Sequence, residues 1–178
     1  MSFLPKDHKI PGGSSSFMKF QDGANRFRIL SDASIGWEGW KDNKPFRREG
    51  IDQNINADEV DIDEKYKKPK INFFWCVKVF DYADDSVKLL ELTQKTVMRA
   101  IKDLLEDADW GEPTEYDLSV EKIKKGDRTT YSVKSYPHKK LSPDFLELVE
   151  ASDLDARSIF KDGEEDFADF KPKAKAKK

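Results

Sequence analysis

The sequence predicts a mainly β domain with accessory helices, and three observations carry that reading. Short runs of alternating apolar and polar residues recur from Phe17 to Lys134, the periodicity of half-buried strands. Gly, Asn and Asp cluster between these runs as turn signals. A stretch with apolar residues three and four apart, Val97 to Ala108, interrupts the strands before their last pair. With 178 residues the chain has room for one core with appendages but not for two full domains.

The elements follow in order. Residues 1–16 combine two prolines, a glycine pair and a serine run, and predict a flexible arm. The folded domain is expected over 17–160. Phe17 to Phe20 and Asn25 to Leu30, parted by Gln21-Asp22-Gly23, predict a first strand or hairpin. Ile35 to Trp40 and Pro45 to Glu49, broken at Asp42-Asn43, predict a second hairpin in which Gly36 and Gly39 allow a bulge or a close approach. Residues 50–68 are acidic and lack a period, so a mobile insertion is expected there. Lys70 to Tyr82 is the strongest strand signal, rich in aromatic and β-branched residues, with Val87 to Leu92 as its antiparallel partner. A helix beginning at Thr93 or Gln94 presents Val97, Ile101 and Leu104 as one apolar stripe and ends by Asp109-Trp110-Gly111. Tyr116 to Glu121 and Thr129 to Lys134 form a closing hairpin, and a helix starts behind Ser142-Pro143. Strands with a helix before the last hairpin match the five-stranded OB-fold barrel.

Little in the sequence calls for catalysis. Imidazole and thiol chemistry is limited to His8, His138 and Cys76, and no phosphate loop or calcium-loop spacing appears. No catalytic or metal-binding residue is assigned, and the reading is non-enzymatic. A lone cysteine excludes an intramolecular disulfide, and no long apolar run suggests secretion or a membrane span, so a cytoplasmic protein is expected.

A net charge of −3 argues against a nucleic-acid ligand only as an average. From Met1 to Arg48 nine Lys/Arg face five Asp/Glu, whereas Asp52 to Glu64 holds six acids and no base. Segregated charge can leave one face basic. Unpaired bases need aromatic faces to stack on and cations to track phosphates. Period two sends Arg26 and Arg28 away from the core that Phe27 and Ile29 enter. On the strand through Phe74 the odd positions are uninterrupted apolar, so Trp75 is expected in the core and Phe74 and Lys78 in a groove, although burial of both faces fits as well. Phe46, Arg47, Arg48 and Lys70 complete the candidate DNA-binding set. Trp37 and Trp40, three apart, face opposite sides of a regular strand, and the choice between them stays open.

The ordered segments FMKFQDGANRFRIL (17–30), Gly36-Trp37, Lys44-Pro45, Lys68-Pro69-Lys70, Leu92-Thr93-Gln94-Lys95-Thr96 and DWGEP (109–113) resemble a family of phage-encoded single-stranded DNA-binding proteins. The resemblance spans about 17–141. It implies an OB fold that coats single strands during replication, recombination and repair in the cytoplasm of an infected bacterium, with no cofactor. Residues 161–178 read as a disordered tail. Glu164, Glu165, Asp166, Phe167, Asp169 and Phe170 resemble acidic, aromatic tails that recruit DNA polymerase or other replication partners, but eight further residues, five of them lysines, follow them. A protein-interaction module of a replisome and an RNA-binding protein are the alternative readings.

Overall fold

The structure, a computed structural model, describes residues 16–160. Its strands are β1 (Gly23–Ile29), β2 (Ser34–Lys41), β3 (Lys44–Glu49), β4 (Ile62–Asp63), β5 (Lys68–Pro69), β6 (Ile71–Asp81), β7 (Ser86–Leu92), β8 (Asp117–Lys125) and β9 (Arg128–Ser135). Helix α1 (Lys95–Glu106) precedes β8, and α2 (Pro143–Ala151) follows β9. The mainly β expectation is met, and the two-residue turn Asp42-Asn43 has both φ values positive, 52° and 63°, as a tight hairpin turn requires.

One long strand organises the large antiparallel sheet. Along one edge of β6, β2 pairs with Ile71 to Cys76 and β1 with Val79 to Asp81, while β7 takes the other edge. From β1 the sheet continues through β8 to β9, and β3 hangs on β2. The closed five-stranded barrel of the sequence reading is not formed: seven strands make the sheet, and among the described residues no ladder joins β9 to β7. The free edge of β7 is instead taken by the end of the N-terminal arm. Met18 N–H donates to the Leu89 carbonyl and Leu89 N–H to that of Ser16, each at 2.8 Å. Phe17 therefore pairs with Leu89 and forms no hairpin with β1.

Both faces of β6 are buried. On the inner face Val77 and Val79 join Phe27, Ile29, Leu90, Leu92, Leu118 and Val120 under Val97, Met98 and Ile101 of α1. On the outer face Phe74 and Cys76 pack with Phe17, Leu89, Ala156 and Ile159, a chain segment returning past α2. Helix α2 itself starts with Pro143 at its first turn, and the Ser142 hydroxyl accepts the Phe145 N–H. Phe145 covers Phe80 at a ring distance of 4.4 Å. The groove expected along Phe74 and Lys78 is thus filled by the chain's own C-terminal part.

Residues 50–68, expected to be a mobile insertion, contain a short helical turn at Ala57–Glu59 and the β4–β5 hairpin, with Ile55 and Val60 buried. Val60 of this segment packs against Gly39 of β2. A Cβ there would meet the Phe46 ring at 2.7 Å and Val60 at 2.8 Å, and the register across it is unbroken, so the glycine serves a close approach rather than a bulge.

Candidate nucleic-acid interface

Because β2 runs without a bulge, its alternating side chains divide cleanly between faces. Trp37 lies on the inner side with Phe73, at a ring distance of 5.0 Å, and its Nε1–H donates to the Ile51 carbonyl. Its cross-strand neighbour Arg48 stacks over Phe46 at 5.3 Å and pairs with Glu59 at 2.7 Å. The Arg48 guanidinium, together with the Asn56 N–H, holds the Glu59 carboxyl down at about 2. Trp40 lies on the outer side, where its Nε1–H donates to Glu38 Oε1 at 2.9 Å. Both tryptophans are half-buried.

Several residues expected to meet DNA are engaged inside the protein. Phe74 is fully buried and has no ring face to offer. Arg47, its side chain 2% exposed, pairs with Glu38 and Glu91. Arg28 is also buried: its Nε donates to Asp117 Oδ1 at 2.7 Å and its Nη2 to the Lys139 carbonyl at 2.6 Å. Lys78 is half-buried, with Nζ donating to the Ser152 carbonyl. All four point outward as period two requires, but that outward face is itself covered, and its arginines have become partners of carboxylates. Arg26 differs, with a side chain 42% exposed. Cys76 is buried as well, which pushes its thiol up to about 12 and leaves it a poor nucleophile.

The residues left accessible converge at the end of the sheet. A groove of about 510 Å³ opens between Trp40, Tyr66, Lys68, Lys70 and Asn72. The β4–β5 hairpin builds its outer wall. Asp63 Oδ1 accepts the backbone N–H groups of Lys65 and Tyr66, and Lys67 takes a left-handed φ of 54°. The tight turn leaves the Tyr66 ring 62% exposed, with the Lys65 ammonium 5.1 Å from its centre. Lys67 pairs with Glu64, whereas Lys65, Lys68 and Lys70 form no ion pair among the described residues. Of this set the sequence reading named Trp40 and Lys70 and passed over Lys65, Tyr66 and Lys68. Four lysines and a tyrosine in Lys65–Lys70 were a usable signal, hidden when the segment was averaged with the six acids of Asp52 to Glu64.

The chain is similar to a probable ssDNA-binding protein of Escherichia phage T5. The two are 26% identical over 148 residues, covering 68% of this chain and 56% of that protein, so the chain spans a little over half the relative's length. No family model and no solved structure matches the chain.

Chemically, the groove offers a fixed indole whose N–H is already satisfied, an exposed phenol ring and the ammonium groups of Lys68 and Lys70. The Lys65 ammonium also lies against the Tyr66 ring, and none of the three is in an ion pair among the described residues. Such a surface holds flat aromatic ligands carrying negative charge. Among the described residues no cluster of three His, Cys, Asp or Glu side chains could hold a metal ion, and no helix is long and apolar enough to cross a membrane. The tail residues Glu164 to Phe170 lie outside the described residues.

Proposed function

We propose that the chain binds single-stranded DNA, with little sequence preference and no chemical step, in the groove between Trp40 and the β4–β5 hairpin. The observation that carries this reading is the exposed Tyr66 ring set beside Lys65, Lys68 and Lys70, cations without carboxylate partners among the described residues. Bases stack on Tyr66 and on the accessible part of Trp40, and the lysines follow the phosphates. The name of the phage T5 relative points the same way. The strand order β7–β6–β1–β8–β9 with α1 before the last hairpin supports an OB-type scaffold opened at one seam. On this reading the protein protects single strands during phage replication, recombination and repair in the cytoplasm of the infected bacterium, and its acidic tail recruits polymerase or other replication proteins.

The test is titration with oligothymidylate, the matching oligouridylate and a duplex of equal length over a range of salt, followed by intrinsic fluorescence. Tight, salt-sensitive binding of oligothymidylate over duplex is expected. Equal affinity for duplex, or affinity indifferent to salt, would overturn the reading, and preference for oligouridylate would reassign the groove to RNA.

A further inference from the structure

The outer face of the sheet is covered in its middle, by Phe145 of α2 and by Ala156–Phe160, and open at both ends. One end is the Trp40 groove. At the other, the register sets Arg26, Ser119 and Lys134 side by side across β1, β8 and β9. Asp117 accepts hydrogen bonds from Arg26 Nη2 at 2.7 Å, Arg28 Nε at 2.7 Å and the Tyr82 hydroxyl at 2.9 Å. Two guanidinium charges thus share one carboxylate, and the cluster stays cationic. Arg26 sits over the Tyr136 ring, Cζ 3.9 Å from its centre, and the Lys134 ammonium approaches the same ring at 5.0 Å. Along β9 the outward residues Arg128, Thr130, Ser132 and Lys134 are all exposed, hydroxyls between cations, and neither Arg128 nor Lys134 forms an ion pair among the described residues. Among the described residues Glu121, beside Ser132, is the acid that β8 sets against this strip between Arg128 and Lys134.

We infer that this end is a second single-strand contact, a track from Arg128 through Lys134 to the Arg26–Tyr136 pair. It binds the phosphodiester backbone of a strand already held at the Trp40 groove, a role that rests on the single-strand reading above. The hydroxyls donate to phosphate oxygens, the cations offset their charge, and the covered middle of the face separates the two contacts. A strand must therefore exceed a minimum length to engage both. Linking two contacts on one strand raises affinity through effective concentration.

The double variant Arg128→Ala/Lys134→Ala changes only exposed side chains, and its thermal melt checks that the fold is intact. Wild type and variant are titrated with oligothymidylates of about 5 and about 16 nucleotides, which span the range one OB-type domain occupies. The expected result is unchanged affinity for the short strand, at least tenfold weaker binding of the long one at low salt, and a log–log salt slope for the long strand shallower by about 1.4, two lost phosphate contacts at roughly 0.7 each. Unchanged long-strand affinity and slope would overturn the second contact while leaving the groove standing. Equal loss on both lengths would overturn it too, since the track would then belong to one undivided site. Wild-type protein that binds neither oligonucleotide would sink the single-strand reading itself.

Discussion

The middle and the end of the outer face handle cationic side chains in opposite ways. In the middle, Arg47 is enclosed with Glu38 and Glu91 beside the Phe74 ring, and each charge meets a counter-charge from the protein. At the end, Lys65, Lys68 and Lys70 have no such partners among the described residues and Tyr66 is largely exposed. A buried cation without a carboxylate is expensive, so a covered surface selects ion pairs, whereas an open edge tolerates unpaired charge and keeps it for a ligand. The same residue types therefore do structural work in one place and remain available in the other.

Breaking the middle should have the largest effect, and on stability. Arg47→Ala strands Glu38, 6% exposed, and Glu91, 16% exposed, without their cation. A loss of about 3–5 kcal/mol is expected, measured by urea unfolding. Phe74→Ala removes a fully buried ring and should cost a similar 3–5 kcal/mol. If either variant unfolds like wild type and instead loses DNA affinity, the division between middle and end is wrong.

The contrast also shows what the sequence could and could not tell. Period two put Trp37 and Trp40 on opposite sides of their strand, without saying which faced where, and the hairpin expected at 17–30 is not formed. The same period gave the inner cluster and the β2–β3, β6–β7 and β8–β9 hairpins, because strand alternation is local and β2 carries no bulge. It could not show that Ala156 and Ile159 come back to cover Phe74 and Cys76, a contact between segments some eighty residues apart. An outward position on the strand is therefore not the same as an exposed one, as Phe74 and Arg28 show, and Arg47, a candidate through its place in Phe46-Arg47-Arg48, is buried among carboxylates instead. The open barrel has a similar cause: Ser16–Met18 hold the edge of β7 through backbone hydrogen bonds, which composition does not report. Tyr66 was legible in principle, but its exposure depends on the Asp63 turn inside a segment read only by its net charge.

At the end of the sheet the order of effects reverses, with affinity lost and stability kept. Tyr66→Ala should weaken oligothymidylate binding by about 1–3 kcal/mol with little change in salt slope. Its unfolding free energy should stay within about 0.5 kcal/mol of wild type, since the ring is 62% exposed. Lys68→Ala should do the converse within the groove, flattening the salt slope by about 0.7 while the stacking contribution persists. A Tyr66→Ala protein with wild-type affinity would move the contact elsewhere, the Trp37–Phe73 side being the next aromatic surface.

The smallest expected effect concerns the segment that joins the two regions. Glu59 titrates at about 2 rather than at its ordinary 4.5, chiefly through its hydrogen bonds to the Arg48 guanidinium and then through the Asn56 N–H. A carboxylate held below its ordinary value contributes stability that is whole above pH 4.5 and is lost as the pH falls toward 2. The pair is partly exposed, so the loss is local and reduced by solvent screening. Trp37 reports on it, because its indole N–H donates to the Ile51 carbonyl at the start of the same segment. In NMR spectra the Trp37 indole N–H resonance should therefore move between about pH 4.5 and 2, and the movement should vanish in Glu59→Gln, which keeps the shape but not the charge. A resonance that titrates identically in Glu59→Gln would assign the change to another carboxylate. One that does not move at all would show that the Arg48–Glu59 pair leaves the segment's packing on Trp37 unaffected, the burial of Ile55 and Val60 and the Asp61 N–H bond to the Trp40 carbonyl being enough to hold the segment to the sheet.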